Sequence, residues 1–158
     1  PDEYIALTSF THHPFGGEVD LELPDNYSHD TFLNLPIDTL MSRVEASLLA
    51  GHPVCWEGGT RGGAFSFARG TAFLSDESRT VTQERRQRAF ETFSVTDDHC
   101  MELVGIARDA RGRRYFICKN SWGTGNPYGG FMYMSYGYAR LNTVAVMMKR
   151  QERQMITL

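Results

Sequence analysis

Two strand-like runs separated by a short turn, within residues 99–120, limit the fold of this chain more than any other feature. The first run, HCMELVGIA, places β-branched residues among apolar ones, and the second, RRYFICKN, follows directly after the turn letters DARG. A connection this short joins antiparallel neighbours in a β-hairpin. His99 lies ten positions before the turn and Asn120 eight positions after it, so both fall at the same open end of the hairpin. We therefore predict that the side chains of His99 and Asn120 can meet.

Residues 36–50, PIDTLMSRVEASLLA, predict an amphipathic helix. Apolar residues recur there at spacings of three and four, and Gly51 followed by Pro53 ends the pattern. The apolar positions are Ile37, Leu40, Met41, Val44, Leu48 and Leu49. A second, more polar helix is predicted over residues 82–92, with Thr82 as its candidate N-cap.

The remaining patterns favour strands. PVCWEGG predicts a buried strand that runs into a glycine turn, and GGAFSFARGTAFL predicts a second strand or an ordered loop. After the glycine-rich loop GTGNPYGG, residues 131–149 supply two more strand candidates. A chain of 158 residues is long enough for one domain with a core. We therefore expect one α+β domain, a mostly antiparallel, barrel-like sheet with flanking helices.

Charge and hydropathy exclude two classes of partner. The net charge is −3 with 22% charged residues, so no single-sign field favours nucleic acid. No apolar run approaches the roughly 18 residues that a membrane span needs. We expect no nucleic-acid partner and no membrane.

The three cysteines, Cys55, Cys100 and Cys118, lie within or beside apolar runs and do not form a disulfide framework. Buried free thiols are the prediction. Neither a Cys-x-x-Cys pair nor a His-Glu-x-x-His motif occurs, and the His12-His13 pair is too local to make a structural zinc site alone. We expect no metal and no cofactor.

His99 and Asn120 have the chemistry of a proton-transfer pair. A neutral imidazole is the natural general acid and base near pH 7, and it needs a third group to fix its tautomer and orientation. An asparagine can supply that hydrogen bond without adding charge. Trp122, two residues later, can shield the contact from water and so strengthen it. By spacing alone, an ordinary packing role for the pair stays open.

At these residues the chain resembles the papain-like cysteine peptidases. DHCMELVGIA is similar to the strand around that family's catalytic histidine, and YFICKNSWGTGNPYGGFMYMS to its Lys-Asn-Ser-Trp-Gly segment. TSFTHHPFGGEVDLELPDNY and a long insertion over residues 60–95 resemble the bleomycin hydrolase and aminopeptidase C branch. The resemblance covers nearly the whole chain. It implies that His99 is the catalytic imidazole, Asn120 its orienting partner, Trp122 their cover and Asp98 a supporting residue.

The resemblance also implies a nucleophilic cysteine in a helical N-terminal half, within a Cys-Gly-x-Cys-Trp-type motif, and these 158 residues contain no such motif. Cys55 is followed by Trp56 but lies in a predicted strand beside Glu57, whereas a reactive thiol favours a helix N-terminus and a cation. Cys100 neighbours His99, and successive strand residues point to opposite faces. We therefore expect residues 1–158 to be the C-terminal half-domain of a longer enzyme, inactive without its helical half.

For substrate and assembly, the resemblance implies an aminopeptidase that acts on peptides within a homohexamer. Cys100 is then a wall of the pocket for the substrate's second side chain. Residues 149–158, KRQERQMITL, are either an arm that restricts the cleft or a frayed tail. Glu57 is either a partner for the peptide's α-ammonium group or an exposed turn glutamate.

Two other functions stay open at this point. One is a papain-like binding or scaffold module that has lost its nucleophile, and the other is a cysteine endopeptidase. The resemblance implies a cytoplasmic location, while a secreted or periplasmic one stays open if the natural chain begins further upstream.

Overall fold

One ten-stranded sheet organises the part of the chain that the computed structural model describes, residues 3–61 and 64–150. Its strands are Tyr4–Thr8 (β1), Glu18–Asp20 (β2), Thr31–Asn34 (β3), Val54–Gly58 (β4), Phe65–Ser66 (β5), Thr71–Ala72 (β6), His99–Arg108 (β7), Arg114–Lys119 (β8), Phe131–Ser135 (β9) and Thr143–Lys149 (β10). The helices are Ile37–Leu49 (α1), Gln83–Glu91 (α2) and Tyr136–Asn142 (α3).

The strand order is β2-β3-β1-β10-β4-β7-β8-β9-β6-β5. All pairs are antiparallel except β1 with β3 and β6 with β9. The α+β class is therefore confirmed, and the barrel-like sheet is open, because its two end strands do not pair with each other. Of the predicted arm or tail over residues 149–158, Lys149 belongs to β10, and residues 151–158 lie outside the described residues.

Helix α1 forms as predicted and packs against one face of the sheet. Its first backbone N–H, on Ile37, is bound by the side-chain oxygen of Gln83 at 2.8 Å, since Pro36 provides no side-chain cap. Gly51 follows the helix with a φ of +81°, a conformation that glycine adopts without strain. The apolar side of the helix meets the inward side chains of the central strands, including the fully buried Trp56 and Leu103. No helix in the described part of the chain is long and apolar enough to cross a membrane.

The hairpin of β7 and β8 sets the position of the functional residues. Its turn is closed by the Gly112 N–H, which donates to the Asp109 carbonyl at 2.9 Å. Arg108 pairs with Arg114, and a register shift after Leu103 inserts one extra residue into β7. Because β7 is longer than β8, this bulge offsets part of the difference in length and brings the open ends of the two strands closer together.

The segment after the glycine-rich loop departs from the prediction of two strands alone. Helix α3 stands between β9 and β10, and the Ser135 hydroxyl caps it by accepting the Tyr138 N–H at 3.0 Å. The tyrosines and glycine of YGYARLN favour strand or turn over helix, so local propensity pointed the wrong way. The aromatic stretch at 65–72 forms the two short strands β5 and β6.

Candidate active site

His99 and Asn120 meet at the open end of the β7–β8 hairpin. The Nε2 atom of His99 lies 3.0 Å from Oδ1 of Asn120. Because β7 continues the register in which Glu102 pairs with Lys119, Asn120 stands opposite Met101, and His99 lies two residues further along the same strand face. The two side chains are therefore diagonal neighbours, within reach of one another. The predicted meeting is confirmed as geometry.

The hydrogen bonds of Asn120 decide which nitrogen of His99 carries the proton. The Asn120 Oδ1 atom also accepts the backbone N–H of Ser121 at 2.7 Å, and its Nδ2 contacts Met132 Sδ at 3.4 Å. The Ser121 N–H is a donor, so the Asn120 atom that it meets is the amide oxygen. An amide oxygen only accepts hydrogen bonds, so the His99 nitrogen beside it must be the donor. The neutral imidazole therefore carries its proton on Nε2, which leaves Nδ1 as a proton acceptor with no partner in the described part of the chain. Asn120 is 6% exposed, so this arrangement is largely screened from water.

An aromatic group covers the pair. The Trp122 ring centroid lies 4.6 Å from that of His99, and Phe65 meets both rings edge-on, at 6.2 Å from His99 and 5.8 Å from Trp122. Trp122 is itself 50% exposed, so its outer face is open to solvent or to another segment. The sequence predicts Phe65 only as part of a strand or an ordered loop. Its contact with His99 and Trp122 depends on the fold.

Asp98 adjoins His99 in sequence but serves the neighbouring loop. Its carboxylate accepts the N–H and hydroxyl of Thr60, at 2.9 and 2.6 Å, and the hydroxyl of Thr96 at 2.8 Å. Burial acts to raise the pKa of Asp98, but these hydrogen bonds and nearby Arg61 hold it below its ordinary value. The carboxylate makes no hydrogen bond to His99 among the described residues. Its hydrogen bonds to Thr60 and Thr96 instead hold the start of β7 in place.

The three cysteines do not provide an activated sulfur. Cys118 is buried in the core as predicted, whereas Cys55 and Cys100 are exposed, which corrects the prediction that all three thiols are buried. Among the described residues, none covers one face of β4 and β7, called here the uncovered face, and both side chains point to it. Burial of the sulfur and the charge of Glu57 raise the pKa of Cys55 and of Cys100, and burial alone raises that of Cys118. No thiol of the three hydrogen-bonds to His99 in the described structure. A nucleophile needs the opposite shift in pKa.

Comparison with known proteins assigns the family. The model of the papain family of cysteine proteases matches residues 72–151, a span that includes His99, Asn120 and Trp122. The chain belongs to the papain family of cysteine proteases. A comparison with curated proteins finds no match.

One solved structure shares the fold over nearly the whole chain. The crystal structure of PepW from Lactobacillus rhamnosis HN001 superposes with a TM-score of 0.73 and 20% identity, covering 94% of this chain. At that identity the likeness establishes the shared fold. This chain spans 35% of the PepW chain. Bromelain from Ananas comosus, solved with the E64 inhibitor, matches with a TM-score of 0.43 and 16% identity, over 73% of this chain and 46% of that one.

Three carboxylates converge at the β4–β7 strand pair. Oxygen atoms of Glu57, Asp25 and Asp97 all lie within 4.8 Å of one another, and Glu57 stands directly across the β4–β7 pair from Cys100. Burial, followed by the charges of Asp97 and Asp25, raises the pKa of Glu57 to about 6. Glu57 is partly buried in a strand, which makes it neither an exposed residue nor a turn residue. The contributions of Asp25 and Asp97 depend on long-range folding that the sequence pattern did not reveal.

A cavity of about 540 Å³ opens on the uncovered face of the sheet. Its lining includes Asn120, Cys100 and Cys55, together with the half-exposed apolar side chains of Tyr4 and Met147. Cys100 thus lies in the wall of a concave surface that reaches Asn120.

Proposed function

We propose that this chain is the C-terminal catalytic half of a cysteine aminopeptidase, which supplies the histidine and asparagine of a Cys-His-Asn triad. The observation that carries the proposal is the 3.0 Å contact between His99 Nε2 and Asn120 Oδ1, with the imidazole proton held on Nε2. A free Nδ1 atom is what a neighbouring thiol needs in order to transfer its proton. Asp98 supports the site by fixing the start of β7, and Trp122 covers the contact.

The proposed reaction uses His99 twice. Nδ1 takes the thiol proton, the thiolate attacks the scissile carbonyl, and the imidazolium returns the proton to the leaving amine. Water then attacks the acyl carbon while Nδ1 accepts one of its protons, and the thioester C–S bond breaks to release the carboxylic acid. Nδ1 returns that proton to the sulfur, which regenerates the thiol. Asn120 keeps the ring oriented, because its Oδ1 atom accepts a hydrogen bond from the Nε2–H group throughout the reaction. The sulfur comes from another segment, since the thiols of this chain have raised pKa values.

The helical half that bears this sulfur docks, in our proposal, on the uncovered face of the sheet. That face presents Met147 at 49% and Tyr4 at 55% exposure around the 540 Å³ cavity. Exposed apolar side chains grouped on one face are typical of a protein–protein interface. By family resemblance, we further propose a cytoplasmic homohexamer whose partners are peptide substrates.

For the substrate, we propose that Glu57 binds the α-ammonium group of a peptide and that Cys100 lines the pocket for its second side chain. A carboxylate beside Asp25 and Asp97 is destabilised by like charges, and a bound ammonium group relieves that repulsion. Glu57→Gln in the full-length enzyme should therefore raise KM for aminoacyl substrates and leave kcat nearly unchanged. Glu84→Gln, on the exposed side of α2, is the matched control. An unchanged KM for Glu57→Gln would contradict the ammonium site.

Exo- and endopeptidase activity are separated by blocking the substrate. The full-length enzyme should hydrolyse aminoacyl fluorogenic amides and lose this activity when the amino group is acetylated. Equal cleavage of acetylated peptides would favour the endopeptidase instead.

A papain-like binding module is the second candidate, because the raised thiol pKa values leave this chain without its own nucleophile. The upstream sequence of the natural protein separates the two. A Gln-x-x-x-Gly-x-Cys-Trp motif supports the enzyme, whereas serine or glycine at the cysteine position supports the binding module.

A further inference from the structure

Two adjacent histidines and a glutamate come together on the loop that follows β1, away from His99. His13 Nε2 lies 2.9 and 3.0 Å from the two carboxylate oxygens of Glu22, and His12 Nε2 lies 3.0 Å from one of them. The ligand atoms of the three residues all lie within 4.8 Å of one another. We propose that His12, His13 and Glu22 form a binding site for a divalent transition-metal ion, with Zn²⁺ as the expected ion. This site is independent of the proposed catalytic function.

The donor set selects the class of ion. Two imidazole nitrogens and one carboxylate suit Zn²⁺ and its first-row neighbours, whereas Mg²⁺ and Ca²⁺ prefer oxygen ligands alone. In the sequence, the two adjacent histidines alone are too local for a zinc site. Glu22 provides the third ligand from the segment after β2, which only the folded chain brings close.

The loop that carries the histidines is held in place by buried groups. The wholly buried Asn34 amide donates to the carbonyls of Phe10 and His13, at 2.8 and 3.0 Å, and accepts the Phe10 N–H at 2.9 Å. On the other side, Leu21 is 1% exposed and anchors the residue next to Glu22. A site whose ligands are positioned in advance loses less entropy when the ion binds.

The His12 and His13 rings are also partly shielded. Their side chains are 29% and 25% exposed, and the His12 ring lies nearly parallel to that of Phe90 at 5.8 Å. His12 and Glu22 border a cavity of about 370 Å³, which leaves space for a further ligand such as water. Three protein ligands with one open position is a common coordination pattern for zinc.

Metal binding requires two local adjustments. Tetrahedral zinc with bonds of about 2.0–2.1 Å separates its ligand atoms by roughly 3.3 Å, so the present 2.9–3.0 Å contacts must widen slightly. The Nε2 protons that now point at Glu22 must also leave, which moves the His12 proton to Nδ1. Gln87 opposes this second change, because its amide nitrogen donates to His12 Nδ1 at 2.9 Å while its oxygen accepts the Thr11 N–H at 2.7 Å.

The first test is calorimetric titration of Zn²⁺ into the metal-free chain after its two exposed thiols, Cys55 and Cys100, have been blocked with iodoacetamide. We expect one ion per chain, and at least about tenfold weaker binding in His13→Ala and in Glu22→Gln. His29→Ala is the matched control, because His29 contacts the carboxylate of Asp20 at 2.6 Å without a second imidazole. Glu22 is largely exposed, so Glu22→Gln should melt like the parent without metal. Absence of binding, or equal binding in the His13 and His29 variants, would overturn the site.

A second variant tests the ligation by His12 directly. Gln87→Glu is combined with Glu91→Gln, because the Gln87 amide nitrogen also donates to the Glu91 carboxylate at 2.9 Å and two carboxylates would repel there. The double variant retains an acceptor for the Thr11 N–H and offers His12 Nδ1 a carboxylate acceptor, the partner that zinc-bound histidines prefer on their other ring nitrogen. We expect this change to tighten Zn²⁺ binding by roughly tenfold. Co²⁺ should give the visible absorption of a tetrahedral site in the same variant. Unchanged or weaker binding would show that His12 Nε2 is not a ligand and would overturn the three-ligand site.

Discussion

The imidazole of His99 and the carboxamide of Asn120 are joined by one hydrogen bond of 3.0 Å that links the ends of two adjacent strands. Because Ser121 donates to the same oxygen, the bond fixes both the amide orientation and the imidazole tautomer. The Nε2 atom of His99 is thus held in a hydrogen bond to Asn120, and its Nδ1 atom has no partner among the described residues.

The first prediction concerns that tautomer. Nitrogen NMR of the neutral imidazole should show the His99 proton on Nε2. In Asn120→Ala the acceptor is lost, so the tautomer preference should shift toward a mixture. Ser78→Ala, in the exposed loop before α2, is the control and should leave the His99 signal unchanged. A proton on Nδ1 in the parent chain would contradict the assigned amide orientation.

The second prediction concerns thiol reactivity. At pH 7.5, Cys55 and Cys100 should react with iodoacetamide more slowly than a free thiol, because a raised pKa lowers the thiolate fraction. Cys118 should react only after unfolding. Glu102→Gln should accelerate Cys55 more than Cys100, since the Glu102 carboxylate acts on the Cys55 pKa. Mass mapping of the alkylated peptides measures all three. Unusually fast labelling of Cys100 would indicate an activated thiol within this chain.

The third prediction links Glu57 to stability. Its pKa is raised in the folded chain from 4.5 to about 6, so the folded state binds more protons than the unfolded state between these values. The free energy of unfolding should therefore fall as pH rises through that window, by less than about 2 kcal/mol because the carboxyl is partly solvated. Glu57→Gln should be more stable than the parent by about 1 kcal/mol at pH 7.5 and similar to it at pH 4. Urea unfolding at both pH values measures this. An equal difference at the two pH values would rule out the pKa shift.

The fourth prediction concerns the uncovered face of the sheet. Tyr4, Val104 and Met147 are 55%, 39% and 49% exposed there, and a face of this kind favours association. The isolated chain should self-associate as its concentration rises, and Met147→Lys should weaken that association. Analytical ultracentrifugation is the measurement. A monomer over a wide concentration range would count against an interface on this face.

Local patterns predicted much of the scaffold. The hairpin, α1 and the Thr82 cap of α2 follow from turn chemistry and apolar spacing, and the structure has all three. The contact of His99 with Asn120 was predictable for the same reason, since one short turn sets the register of both strands. Residue spacing in a hairpin carries three-dimensional information directly.

What failed depended on distant parts of the chain. Cys55 was expected to be buried because its strand is apolar, but burial depends on which sheet face is covered. Glu22 joins His12 and His13 through the packing of Leu21 and Asn34, which no local pattern encodes. Helix α3 was not predicted, because the aromatic residues after Ser135 favour a strand, whereas in the fold the Ser135 hydroxyl caps a helix.

Reconstitution of the two halves tests the central claim most directly. This chain should be mixed with a separately produced papain-family helical half, and hydrolysis of an aminoacyl fluorogenic amide should be recorded. The account predicts turnover only in the mixture, lost when His99 is replaced by alanine and lost when the helical half's nucleophilic cysteine is replaced by serine. Turnover by this chain alone, or by a mixture whose helical half lacks that cysteine, would contradict it.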